Sequence, residues 1–197
     1  MDDQLRTALT RLSAVTDDWL GLSDILRTDG RIILESLLTD SENQTLRRSF
    51  VRACWAYVEA ITFSVKKFML TACQFGSDRF TVEEQVFLAS QRLVVDPEGE
   101  VAVYRERVNA LENVKRTFRL AARVLDTEWT PDFGVEGWQR LRKAIQIRHR
   151  LTHPKTVAEV NVSDDDFDDL KQGISWFIQM ITAFDTAVLA RYGQNEP

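Results

Sequence analysis

The sequence predicts an all-α fold. Three observations carry this. Apolar residues recur at spacings of three and four along nearly the whole chain. Glycine and proline are scarce, at 8 and 4 of 197 residues. One short stretch alone, near residues 93–104, has β-type composition flanking a Pro-Glu-Gly turn. Two strands cannot make a domain, so this stretch reads as a β-hairpin inserted into an antiparallel helical bundle.

The elements follow in order. Leu5, Leu9, Leu12 and Val15 make one helical face. Trp19 to Leu26 is less regular, and Ile32, Ile33, Leu37 and Leu38 suggest a short helix after a turn at Asp29-Gly30. Ser41 and Gln44 form an S-x-x-Q capping pattern at the start of a long helix. Its stripe is Leu46, Phe50, Ala53, Tyr57, Ile61, Val65, Phe68 and Ala72, and Gly76 is its expected stop. Thr81-x-x-Glu84 caps a shorter helix running to about Gln91. After the hairpin, Val108, Leu111, Val114, Phe118, Ala121 and Leu125 restart a helix that stops before Pro131. Trp138, Leu141, Ile145, Arg148 and Thr152 share a face of the next, which Pro154 stops. Ser163 and the acids Asp164 to Asp166 open the last helix, with negative charge at the positive end of its dipole. Phe167, Leu170, Ile174, Phe177, Ile181, Phe184 and Val188 form its stripe, and Trp176, Ile178, Met180 and Leu189 add apolar surface elsewhere, which suits a central or interface helix.

The length fits a single domain over 1–197, able to bury about 70% of its unfolded surface without a metal or disulfide staple. Residues 1–40 read as an N-terminal helical extension and 41–192 as the bundle. Cys54 and Cys73 are too few for a disulfide framework and read as reduced and buried. No run of apolar residues approaches a membrane span, and the acidic Met-Asp-Asp-Gln start has no signal-peptide core. The expectation is a cytoplasmic protein without membrane partners.

Charge is where the sequence becomes specific. The net charge is −5, which argues mildly against nucleic acid. Its distribution argues the other way. No acid occurs from Gly137 to Ala158, while Arg140, Arg142, Lys143, Arg148, Arg150 and Lys155 all do. Both histidines, His149 and His153, lie in the same segment. Arg148 falls within an apolar stripe, which is costly unless an anion faces it. His149 and His153 sit at i and i+4, with Pro154 loosening the helix end at His153. A permanent cation beside two rings of ordinary pKa about 6.5 is suited to holding phosphate and moving protons near neutrality. The same i, i+4 spacing suits a metal pair, but the glutamate of H-E-x-x-H is missing, so no metal and no cofactor is expected. The basic run also fits a merely solvated helix face.

Arg148-His149-x-x-x-His153 resembles the R-x(4–6)-H motif of the higher eukaryotes and prokaryotes nucleotide-binding (HEPN) superfamily. These are all-α bundles, many of them metal-independent ribonucleases. Its place near the end of a late helix, before a turn and one more helix, also resembles the family. So does the earlier helix carrying Arg52-Ala-Cys-Trp-Ala-Tyr-Val-Glu-Ala60. The resemblance spans roughly Ser41 to Tyr192. It implies a homodimer with motif helices facing across a composite cleft. It implies that Arg148 holds the scissile phosphate, that His153 acts as acid or base for attack by the RNA 2′-hydroxyl, and that His149 orients one or the other. The products would carry a 2′,3′-cyclic phosphate and a 5′-hydroxyl. Glu59 is the implied partner of Arg148, and Arg142, Lys143, Arg150 and Lys155 would contact RNA. Family-level association adds toxin–antitoxin or phage-defence settings, with an antitoxin or other protein partner. The competing reading is a non-catalytic HEPN-like module that dimerises or binds a nucleotide or partner.

Overall fold

The computed structural model describes residues 3–74, 79–106, 108–126 and 128–192. The fold is all-α with one small antiparallel hairpin. The order is α1 (Asp3–Thr39), α2 (Gln44–Cys73), α3 (Val82–Leu88), β1 (Gln91–Val95), β2 (Val101–Arg105), α4 (Ala110–Val124), α5 (Glu136–Thr152) and α6 (Asp164–Tyr192), with a 3-10 turn at Val157–Val160 before α6.

The residues group into two compact units that share the long helices α1 and α2. The first takes 1–22 and 61–126, the second 23–60 and 127–197. In the first, Trp19 meets Phe68 edge-on at 6.1 Å, and Val65, Met69, Phe87, Val114 and Phe118 are buried. Lys66 is buried there too. Its ammonium donates to Ser90 Oγ (3.0 Å) and Asn113 Oδ1 (3.2 Å) and lies over the Phe87 ring, and burial lowers its pKa to about 8. In the second unit, Phe50, Trp55, Tyr57, Leu141, Ile145, Leu170, Phe177 and Phe184 form the core.

Several expectations are corrected. Asp29-Gly30 is not a turn: α1 runs through it unbroken. A single glycine costs a helix only about 1 kcal/mol against alanine, which the rest of a 37-residue helix absorbs. The cap of α2 is Asn43, not Ser41. The Asn43 Oδ1 accepts from the amides of Thr45 and Leu46, and Gln44 instead exchanges two hydrogen bonds with the backbone of Val162. Gly76 lies outside the described residues, and α2 ends at Cys73. The Thr81–Glu84 capping box forms as expected, but α3 stops at Leu88, where Ser90 takes a positive φ of 55° and the chain turns into β1. The helix most buried around its circumference is α2 rather than α6. By length and composition α6 is apolar enough over Asp164–Ala190 to cross a membrane, contrary to the expectation that no run approaches a span. Leu170, Phe177, Met180, Ile181 and Phe184 of that stretch are buried in the second unit.

α5 and α6 lie antiparallel and very close. A Cβ on Gly173 would stand 2.6 Å from the Leu141 amide nitrogen, and one on Gly137 would stand 2.3 Å from Trp176 Cβ. Two glycines, one per helix, therefore set how near the helices approach. That contact fixes α5, which carries the charged segment.

Candidate functional site

The site is built on the last two turns of α5. Two contacts bring α2 beside it. The Trp55 indole nitrogen donates to the Ala144 carbonyl at 3.3 Å. One turn further along both helices, Arg148 Nη2 lies 2.7 Å from Glu59 Oε1. A step of four on α2 matches a step of four on α5, so the helices run side by side in the same direction here. Glu59 is therefore the ion-pair partner of Arg148.

Arg148 is not buried in the apolar stripe. Its side chain is 32% exposed and that of Glu59 46%. The buried face of α5 turns away from the predicted one along its length. Trp138, Leu141, Ala144 and Ile145 give way to Ile147 and Leu151, while Thr152 is exposed. Seventeen residues at 3.6 per turn drift across the contact, and Arg148 emerges at its margin.

Both imidazoles are exposed. His149 lies in the last turn of α5, and its carbonyl accepts the His153 amide at 3.1 Å. His153 ends the helix with φ −132° and ψ 59°, outside the helical region, as expected for the residue before Pro154. The Thr152 hydroxyl donates to the Arg148 carbonyl at 2.8 Å, and the Lys155 amide to Glu159 Oε2 at 2.6 Å. Together these close the helix end that displays the two rings. Among the described residues, no group of three or more His, Cys, Asp or Glu is placed to hold a metal.

The four expected RNA contacts fare differently. Arg150 is held by Asp166 through both guanidinium Nη atoms, and Nη2 also donates to the Asn161 carbonyl at 2.9 Å. Burial raises the Asp166 pKa, but hydrogen bonds from Arg150 and Ser163 outweigh it and leave the carboxyl below its ordinary value. Lys143 Nζ lies 3.6 Å from Asp169 Oδ2, and Arg142 bonds to Gln139 Oε1 at 2.8 Å. Lys155 is exposed. Arg140 joins Asp169 at 2.5 Å and Glu136 at 2.7 Å. The acids that open α6 thus neutralise much of the basic face of α5. Ser163 and Asp166 also cap α6 reciprocally, the helix-start role expected of the acids Asp164 to Asp166. Their second role was visible only as two oppositely charged segments separated by a short connection.

Sequence reasoning missed Arg47. It is 3% exposed and ties four points together: the Ser41 carbonyl (2.7 Å), the Val162 carbonyl (2.9 Å), Glu42 (3.2 Å) and Asp164 (2.6 Å). It anchors the start of α6 to the start of α2. Its only sequence signal was an arginine in the first turn of a helix, where positive charge is disfavoured. Compared with protein-family models, curated proteins and solved structures, the chain matches none.

Proposed function

We propose that the chain is a metal-independent endoribonuclease of the HEPN type. The carrying observation is a guanidinium oriented by Glu59 on the same two helical turns as two exposed imidazoles. Glu59 engages Arg148 through Nη2 and restricts its side chain. A phosphate arriving at Arg148 meets a permanent cation with planar donors. An imidazole there accepts the 2′-hydroxyl proton, and a second donates to the leaving 5′-oxygen. A single helix end offers both His149 and His153, so one copy carries both rings by itself. On this reading Lys155 and Arg142 are the residues left to attract RNA, while Arg150 is structural.

The neutralisation of Arg140, Lys143 and Arg150 favours a second reading, a non-catalytic module binding a nucleotide or a protein partner. One experiment separates the two. The full chain is incubated in EDTA with mixed-sequence RNA, and the new termini are analysed. Cleavage leaving 2′,3′-cyclic phosphates, lost in His153→Ala, supports the first reading. Intact RNA with the wild-type chain sinks it and leaves the second.

A further inference from the structure

The hairpin presents an anomaly. A two-stranded ribbon standing alone is marginal in water. Here every residue of β1 is exposed, and so are Val101, Val103, Tyr104 and Arg105 of β2. Val95 and Val101 are 65% and 60% exposed. The ribbon is nonetheless well formed. Gly99 takes the positive φ its turn requires, and Asp96 receives the amides of Gly99 and Glu100. Native edge strands are normally blunted by charge, proline or a bulge. Along β1, Gln91-Arg-Leu-Val-Val95, the single charge is Arg92.

The hydrogen-bond register shows what each edge offers. Asp96 bonds to Glu100 and Glu106 to Ser90 through the backbone. With alternation along an antiparallel ladder, 92/104 and 94/102 are then also hydrogen-bonded pairs. The amides and carbonyls of Gln91, Leu93 and Val95 therefore point outward from β1, and those of Val101, Val103 and Arg105 outward from β2. A second copy can add its own strand antiparallel along either edge, because an isologous contact sets a strand against itself reversed.

Charge chooses between the edges. About a two-fold at Val94, Arg92 of one copy stands directly opposite Asp96 of the second copy, twice over. About a two-fold at Leu93 the same two residues are diagonal neighbours, still within cross-strand reach. About the midpoint of β2, Val103, Glu100 of one copy instead stands opposite Glu106 of the other, like charge on like. We propose that β1 is a self-association edge, pairing with β1 of a second copy of this chain to make a four-stranded sheet. Arg92 and Asp96 set its register. Tyr104, whose ring lies 5.7 Å from the Arg92 guanidinium, holds that side chain on the matching face. This contact does not depend on whether α5 cleaves RNA.

The test is light scattering across a concentration series, combined with single-cysteine crosslinking under mild oxidation. Native Cys54 and Cys73 are buried and do not compete. The wild type is expected to dimerise. Either Val94→Cys or Leu93→Cys is expected to form a disulfide-linked dimer, since these positions face themselves across the axis. Val103→Cys on β2 and Gln146→Cys on the exposed face of α5 are expected to stay uncrosslinked. Val94→Lys should abolish dimerisation with an unchanged melting temperature, and Arg92→Glu should weaken it about tenfold by placing like charges opposite. A monomer at every concentration overturns the proposal. So does a dimer that crosslinks through Val103→Cys or Gln146→Cys and survives Val94→Lys, which would place the contact on β2 or α5.

Discussion

The guanidinium of Arg148 stands 2.7 Å from the carboxylate of Glu59, one helical turn beyond the Trp55–Ala144 hydrogen bond between the same two helices. The buried indole bond aligns α2 and α5, and the ion pair lies where that alignment reaches solvent. This order makes the pair an orienting contact more than a stabilising one. Partly exposed pairs contribute about 0–1 kcal/mol.

It follows that Arg148→Ala should leave the protein folded, at a cost of about 1 kcal/mol or less and a melting shift of a few degrees. RNA cleavage should nonetheless be lost. Glu59→Gln should lower cleavage less, because the amide still accepts from the guanidinium but no longer fixes it by charge. Thermal melts alongside cleavage rates check both. An unfolded Arg148→Ala would show that the pair holds the fold.

His153→Ala and His149→Ala remove exposed side chains and should change stability by no more than about 0.5 kcal/mol. A proton-transferring imidazole is worth about 10²–10⁴-fold in rate. His153→Ala is expected to fall in that range and His149→Ala to lose less. Wild-type rates from His153→Ala would remove the chemistry assigned to the motif. Cleavage that dies in EDTA and returns with zinc would instead assign both rings to a metal.

Gly173→Ala tests the packing beneath the site. The added methyl would meet the Leu141 backbone at 2.6–2.7 Å, and neither helix backbone can move aside locally. A cost of about 1–3 kcal/mol is expected. Cleavage should fall with it, as α5 shifts against α2. An Ala variant that melts like wild type would mean that α5 and α6 slide without penalty.

Asp185 on α6 carries a pH dependence. Burial pushes its pKa from 3.8 up to about 6. The native carboxyl therefore holds its proton more tightly than the unfolded chain does. Between about pH 4 and pH 6 the native state binds more protons, so this group's contribution to stability falls as pH rises, and above pH 6 its full penalty is present. Asp185→Asn should raise stability at pH 7 by about 1 kcal/mol, discounted for partial solvation, with the difference vanishing below pH 4. Denaturant melts of both proteins at pH 4 and pH 7 check this, and a constant difference across pH would contradict it.

Periodicity alone determined the helices from α2 onward and the hairpin, because apolar spacing and turn chemistry are local and each element satisfies them by itself. Charge along the chain singled out Arg148, His149 and His153, since a basic segment holding both histidines is a property of chain order. Tertiary structure decided what local pattern cannot carry. A lone Gly30 reads as a turn, yet a helix continues through it when its flanks are well formed. Arg148 reads as buried from its place in an apolar stripe, yet the buried face of α5 drifts along its length and leaves Arg148 at its margin. Arg150 reads as an RNA contact, yet Asp166 lies across the connection between α5 and α6 and takes its charge. Each of these depends on which residue from another element arrives opposite. A charge's partner is fixed only when two helices pack, and packing is set by distant features such as the glycines that let α5 and α6 meet backbone to backbone.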